Sequence, residues 1–397
     1  MKRWGTLLLL TAFLLTGCGA PEDQETAGLE GEELHQEEVQ PPMEPITATL
    51  AFCGDVMSHM PVTRDAWDTG TGQYDYLPIL GGAVPYVQAA DYAVANLETT
   101  LSEGEYSGFP RFRSPDGLAA SLKNAGFDLL LTANNHCCDA GFSGLCRTLD
   151  VLDQVGLAHV GTSRTAEEAE NGVLLADVGG ISVAFLGYTY GTNGIPLSQD
   201  APYSVNLFHT DYLTTVNTVD TERLTRDLER AKAMEPDLIA VLVHWGTEYR
   251  RTATKGQEEL ADFLIAQGAD LVLGGHSHVP EPMEVRQVKG EDGADREGFV
   301  CYSLGNLISS QRDPYTDVTA VLQLELTKTE EGSRVTDWSY IPLWMQRKSQ
   351  GERRFTLMDV HKALREGTAP ADKLQYALDA CRETFGAEHD VEPPEAS

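Results

Sequence analysis

Asn134, Asn135, His136 and Asp139 follow directly on the apolar run Leu129-Leu130-Leu131. Two amides, an imidazole and a carboxylate at the mouth of a buried strand are costly unless something pairs with them. Any one of these residues alone reads equally well as part of a turn. The same arrangement recurs five more times, with Asp55 and His59 after residues 47–53, and Glu98 after 91–95. His244 and Glu248 follow residues 237–243, His276 and His278 follow 271–273, and Asn306 follows 299–302. Five of the ten histidines in the chain fall on these loops. Carboxylate, amide and imidazole donors suit divalent ions such as Zn, Mn or Fe, and no cysteine stands at zinc-finger spacing. His276 and His278, two apart on a turn, can converge on neighbouring cations.

The elements that must position these residues alternate between helix and buried strand. Residues 115–125 predict a helix, with Ser114 as N-cap, Pro115 in the first turn and Gly126 as stop. Helices follow over 142–155, closed by Gly156, over 222–235, stopped by Pro236, and over 256–267 before Gly268. Strands fall between them, including 181–187 and a closing strand at 317–326, with 357–385 as peripheral helix. Alternation of this kind predicts an α/β fold with much parallel pairing. In such sheets ligands gather at the C-terminal ends of the strands, where the polar residues stand.

Charge and targeting narrow the setting. The 397 residues carry a net charge of -32, which argues against nucleic acid and anionic membrane surfaces as partners. Lys2, Arg3 and the apolar residues 7–15 form a signal segment too short to span a bilayer. It ends Leu15-Thr16-Gly17-Cys18, which resembles a bacterial lipobox, so residues 1–17 are expected to be removed and Cys18 lipidated. The expected location is the extracytoplasmic face of the bacterial cell membrane. Residues 18–45, with nine acids and no Lys or Arg over 20–45, predict a disordered tether. A domain over 46–345 and a peripheral helix with an acidic tail over 346–397 complete the organisation.

Taken together, Gly54-Asp55-Val56-Met57, Asn96-Leu97-Glu98, Ala133-Asn134-Asn135-His136 with Asp139, His244-Trp245-Gly246 with Glu248-Tyr249, His276-Ser277-His278-Val279 and Ser303-Leu304-Gly305-Asn306 resemble the CapA family. These poly-γ-glutamate capsule biosynthesis proteins belong to the calcineurin-like metallophosphatase superfamily. The resemblance covers roughly residues 48–345 and implies a β-sandwich flanked by helices in α/β/β/α layers. It implies a two-metal centre with Asp55, Glu98, Asn135, His244, His276 and His278 as ligands, and His59 as a further ligand or substrate contact. His136 matches the superfamily's proton-donating histidine, with Asp139 beside it.

Substrate contacts implied are Asn134, Glu248 and Asn306, together with Arg111 and Arg113, whose guanidinium groups suit carboxylate or phosphate. Arg250 and Arg251 are weaker choices of the same kind. The chain departs from the superfamily in four places: Met57 stands for a histidine, Glu98 for an aspartate, Ser277 for a proline and Cys137-Cys138 for small apolar residues.

Two functions follow from the resemblance. One is a lipid-anchored capsule component that acts with synthase and export membrane proteins on an anionic polymer. The other is a free-standing secreted metal-dependent hydrolase of phosphate esters or amides. Cys53 and Cys301 read as buried thiols. A bridge among Cys137, Cys138 and Cys146 stays open, whereas a vicinal Cys137–Cys138 bridge would be strained. Trp245 reads as packing.

Overall fold

The computed structural model describes residues 44–290, 292–351 and 354–392. The expected signal segment, Cys18 and nearly all of the expected tether lie outside the described residues. Among the described residues, no helix is long and apolar enough to cross a membrane.

Two sheets face each other. The eight-stranded sheet runs Phe355–Asp359, Gly332–Arg347, Val318–Thr329, Ile46–Val56, Tyr92–Leu97, Leu129–Leu131 and Ala158–Val160, with Asn306–Ile308 pairing to the end of Ile46–Val56. The six-stranded sheet runs Pro280–Lys289, Asp295–Leu304, Leu271–Gly275, Leu238–His244, Ile181–Thr189 and Leu174–Val178. The six-stranded sheet has a parallel centre and antiparallel margins, whereas in the eight-stranded sheet the parallel strands run from Ile46–Val56 to the Ala158–Val160 edge and the other side is antiparallel.

Strand alternation explains the layering. Leu50 and Phe52 share one core with Leu238, Ala240 and Leu242 of the other sheet. Their neighbours Ala51 and Cys53 face outward onto Leu118 and Leu122 of the Gly117–Ala125 helix. In the second sheet Ile239, Val241 and Val243 meet Leu224, Leu228, Leu260 and Leu264 of the Thr221–Lys232 and Lys255–Ala266 helices. Successive side chains on a strand point to opposite faces, so strands apolar at every position require cover on both sides. The result is the α/β/β/α arrangement that the resemblance implies.

Two elements depart from the sequence expectation. The helix expected from Pro115 begins at Gly117, because Arg113–Pro115 pairs with Thr100–Ser102 and the Ser114 hydroxyl bonds Thr99 Oγ1 at 2.7 Å instead of capping. The helix expected over 357–385 is a strand, Phe355–Asp359, followed by two helices, Val360–Glu366 and Ala371–Phe385. Gly367 ends the first of these in a left-handed conformation, and Pro370 precedes the second. The longer helix buries Leu374, Ala377, Cys381 and Phe385 in the inter-sheet core.

Candidate metal centre

The parallel strands of both sheets end at one place. Asp55 closes the first strand of the eight-stranded sheet, and its carboxylate is held from two sides. Asn96 Nδ2 donates to Oδ1 at 2.8 Å, and the His276 backbone N–H donates to Oδ2 at 3.1 Å. Glycine is required where the sheets meet here. A Cβ on Gly275 would stand 2.5 Å from Asp55 Oδ1, and one on Gly54 would stand 1.9 Å from the Gly305 carbonyl oxygen.

Glu98, His244, His276 and His278 complete a buried cluster, with Glu98 and His244 fully enclosed. His244 Nε2 is 3.6 Å from Glu98 Oε1, and His278 Nδ1 is 3.3 Å from Asp55 Oδ2 and 3.9 Å from Glu98 Oε2. Three overlapping sets have ligand atoms within 4.8 Å of one another: Glu98–His244–His276, Asp55–Glu98–His278 and Glu248–His276–His278. Both oxygens of Glu98 and the Nδ1 atoms of His276 and His278 are buried without a hydrogen-bond partner among the described residues. Orphaned lone pairs of this kind cost free energy that a cation would offset. The donor set therefore fits divalent cations.

The electrostatics agree. Burial, reinforced by Asp55, Glu248 and Asp139, pushes the Glu98 carboxyl well above the usual range. Burial, with His278 and His136 adding repulsion, holds His244 and His276 well below the usual imidazole value. Anionic Glu98 is thus disfavoured until positive charge arrives, while the two imidazoles are already neutral and ready to donate lone pairs. His276 and His278 adopt φ of 102° and 61°, in the left-handed region that non-glycine residues seldom occupy. Strain of this kind persists where the surroundings enforce it. Here the Asp55 bond to the His276 N–H and the Asn306 Nδ2 bond to the His278 carbonyl at 3.2 Å do so.

Beside the cluster, His136 Nδ1 lies 2.7 Å from Asp139 Oδ2, which also accepts the Phe112 N–H at 2.5 Å. The pair is buried. Asn135 Oδ1 stands 3.0 Å from His244 Nε2, so a proton and a cation are alternative ways to satisfy these two atoms.

The family profile described as "Bacterial capsule synthesis protein PGA_cap" matches residues 49–311. This chain belongs to that family. It is 27% identical over 311 residues to the capsule biosynthesis protein CapA of Bacillus anthracis, spanning 76% of this chain and 68% of that one. It is 27% identical over 290 residues to the PGA biosynthesis protein CapA of Bacillus subtilis, spanning 72% and 69%. Among solved structures it is loosely similar to the calcineurin-like phosphoesterase YfkN of Bacillus subtilis, with 12% identity and a TM-score of 0.41 over 86% of this chain and 97% of that one. A phosphatase of Mycoplasma pneumoniae gives 14% and 0.43 over 75% and 94%.

Within the PGA_cap chain, the expected ligands Asp55, Glu98, Asn135, His244, His276 and His278 converge. His59 does not join them. Its Nδ1 accepts the Ser310 N–H at 3.4 Å, and Phe112 stands between its ring and that of His136. Burial and neighbouring His278 and His136 lower its pKa to about 4, although the Met57 carbonyl opposes the shift.

Among the expected substrate contacts, Glu248 is exposed and lies within ligand reach of His276 and His278. Asn134 is fully buried and is scaffold instead: Nδ2 donates to the Leu97 carbonyl at 2.7 Å, and Oδ1 accepts the His136 N–H at 3.1 Å. Asn306 also braces, through the His278, Gln311 and Thr316 oxygens. Arg111 is exposed and Arg113 half-buried, and neither makes a hydrogen bond or ion pair to the cluster among the described residues. Arg251 is committed elsewhere: it bonds Glu383, the Ala380 carbonyl and Thr384, and lies 4.0 Å over the Tyr315 ring.

All six described cysteines are free, with the Cys137 and Cys138 sulfurs 3.8 Å apart. Trp245 is packing, buried against Tyr302 with Nε1 donating to its carbonyl at 2.9 Å. Sequence reasoning missed Asn96, whose Nδ2 reaches Asp55 and also stands 3.0 Å from His244 Nδ1. It missed Tyr190 as well, which packs on His276 at 4.7 Å between ring centroids. Asn96 stands in the Asn96-Leu97-Glu98 motif at a strand end, two before Glu98, and that position could have pointed to it.

Proposed function

We propose that this chain is a lipid-anchored, extracytoplasmic component of poly-γ-glutamate capsule assembly whose metal centre acts on the polymer or its attachment. Family membership and the capsule roles named for the Bacillus relatives support the capsule setting. The Leu15-to-Cys18 sequence after a short apolar segment supports the anchor, and synthase and export proteins in the membrane are the expected partners. The observation that carries the catalytic part is Glu98: it is buried, has no hydrogen-bond partner for either oxygen among the described residues, and is shared by two ligand sets. A carboxylate so placed suits two cations of the Mn, Zn or Fe type.

Asp55, Glu98, Asn135, His244, His276 and His278 would hold the cations, with Glu248 at the exposed side. When bound, such ions supply Lewis acidity and a lowered water pKa. The chain's own contribution is proton delivery. Asp139 fixes His136 through Nδ1, and the Phe112 N–H fixes Asp139; His136 Nε2, with Asn193 Nδ2 at 3.4 Å beside it, is then the atom that would give a proton to a leaving group.

His136→Asn in the purified mature chain tests this. Bound metal, read by elemental analysis, should be unchanged, while turnover across a panel of γ-glutamyl amides and phosphate esters should fall by roughly 10²–10⁴-fold. Loss of metal alongside turnover would make His136 a ligand and refute the donor role. Turnover of phosphate esters in a chain whose mutation leaves capsule untouched would favour a free-standing hydrolase.

A further inference from the structure

A cleft of about 360 Å³ is linked to the metal centre through His59 and Phe112, and its charge is opposite to that of the chain. Arg312, Arg347, Lys348 and Arg354 line it with Ser310 and Ser349, and among the described residues none of the lining is acidic. In a chain with 61 acids against 29 Lys and Arg, four cations around one cleft without a carboxylate reverse the local field.

Their charge is only partly met from behind. Arg354 Nε stands 3.6 Å from Asp65 Oδ1, and Arg347 Nη2 stands 4.0 Å from Asp317 Oδ2. Arg347 Nε is buried with no hydrogen-bond partner among the described residues. Arg312 and Lys348 have no ion-pair partner among the described residues.

The cleft and the centre share a wall. The backbone N–H of Ser310, which lines the cleft, donates to His59 Nδ1. The His59 ring meets Phe112 edge-on at 4.9 Å, and Phe112 meets His136 at 4.7 Å. The loop that carries Ser310 and Arg312 follows the short Asn306–Ile308 strand, whose first residue holds the His278 carbonyl.

We propose that this cleft is a subsite for the carboxylates of an acidic polymer, seating units next to the one that lies at the metal centre. The proposal rests on the polymer-handling role given above and names the residues that would grip the chain. Guanidinium groups pair carboxylates in a fixed fork, and ammonium and serine hydroxyl groups add unforked donors. The size falls in the range of small-ligand clefts, ~300–1,000 Å³. The lone aromatic lining residue, Phe355, is buried, so no exposed ring is offered for base stacking and nucleic acid is a poor fit.

The test is equilibrium binding of a labelled γ-linked decaglutamate to the full mature chain at low salt, with uncharged γ-linked polyglutamine as control. The double variant Arg312→Ala with Lys348→Ala changes only exposed side chains and should keep the fold. It should bind decaglutamate about tenfold or more weakly, as expected for lost hydrogen bonds between charged groups, with bound metal unchanged. Arg347→Gln should weaken binding further, and its thermal midpoint reports whether the half-buried position tolerates the change.

Equal binding by wild type and double variant overturns the proposal. So does a wild type that ignores decaglutamate or takes the neutral polymer as well. Glu98→Gln separates the two readings: if metal is lost while decaglutamate still binds in an Arg312-dependent way, the cleft stands. A wild type that binds the polymer but takes up no metal refutes the metal centre and leaves the cleft intact.

Discussion

The eight-stranded sheet brings Asp55, Glu98 and Asn135 to the centre, and the six-stranded sheet brings His244, His276, His278 and Glu248. The first group stands at or just past the ends of strands, with Asp55 gripped by Asn96 and the His276 N–H. Two of the second group sit on a turn whose backbone is held left-handed. Two of the three ligand sets draw on both sheets, and these are buried. The third, Glu248–His276–His278, comes from one sheet and includes an exposed acid. Neither sheet therefore builds a closed site alone, and cation binding is tied to the packing of one sheet on the other.

The largest expected effect breaks the two shared sets at once. Glu98→Gln should bring bound metal well below about one ion per chain, whereas Glu248→Gln should retain most of it, because only the exposed set is touched. Equal losses by elemental analysis would show that burial does not rank the sets. A smaller effect is expected from Asn96→Ala, which leaves every ligand in place and removes a group that orients Asp55 and His244. Metal affinity should fall by about 10–100-fold, and the metal-free chain should lose about 1–3 kcal/mol of stability because Asp55 and His244 are left unpaired. An unaltered metal titration would remove Asn96 from the account.

The smallest effect concerns Glu281, on the six-stranded sheet behind the histidines. Its Oε2 accepts from Gln257 Nε2 at 2.9 Å, and burial raises its pKa to about 8 despite that bond. A carboxyl raised in the folded state binds more protons there than in the unfolded chain. Its contribution to stability is present at acid pH and is lost as pH rises through about 8. With chelator present, Glu281→Gln should match the wild type near pH 5 and exceed it near pH 9 by at most a few kcal/mol in denaturant unfolding, an order-of-magnitude figure. A difference independent of pH would mean that Glu281 stays ionised.

Much of the centre was legible because its residues interrupt apolar strands, and that interruption survives in one dimension. Asp55, Glu98, His244, His276 and His278 are of this kind. What sequence could not separate was a residue that meets metal or substrate from one that braces such a residue. Asn134 and Asn306 sit in the same loops as the ligands, yet they spend their amides on backbone oxygens, a choice set by contacts from distant segments. His59 has ligand chemistry and the right address, but it enters none of the three ligand sets, and its Nδ1 accepts the Ser310 N–H. The Phe355–Asp359 strand went unread because its alternation is short and leads directly into helix. The basic cleft joins residues 310–312 to 347–354, which no spacing rule connects.

Arg251 gives the order of synthesis a structural meaning. Every candidate ligand has been made once His278 is added, but the segment after His244 and Glu248 is tied down by the Ala380 carbonyl, Glu383 and Thr384. A nascent chain therefore holds its full donor set for a hundred residues before the last brace arrives, counting roughly on domains that fold as units. Because the core between the sheets includes the Val318–Thr329 strand and the Ala371–Phe385 helix, those donors should converge, and metal uptake should begin, only when the final long helix docks.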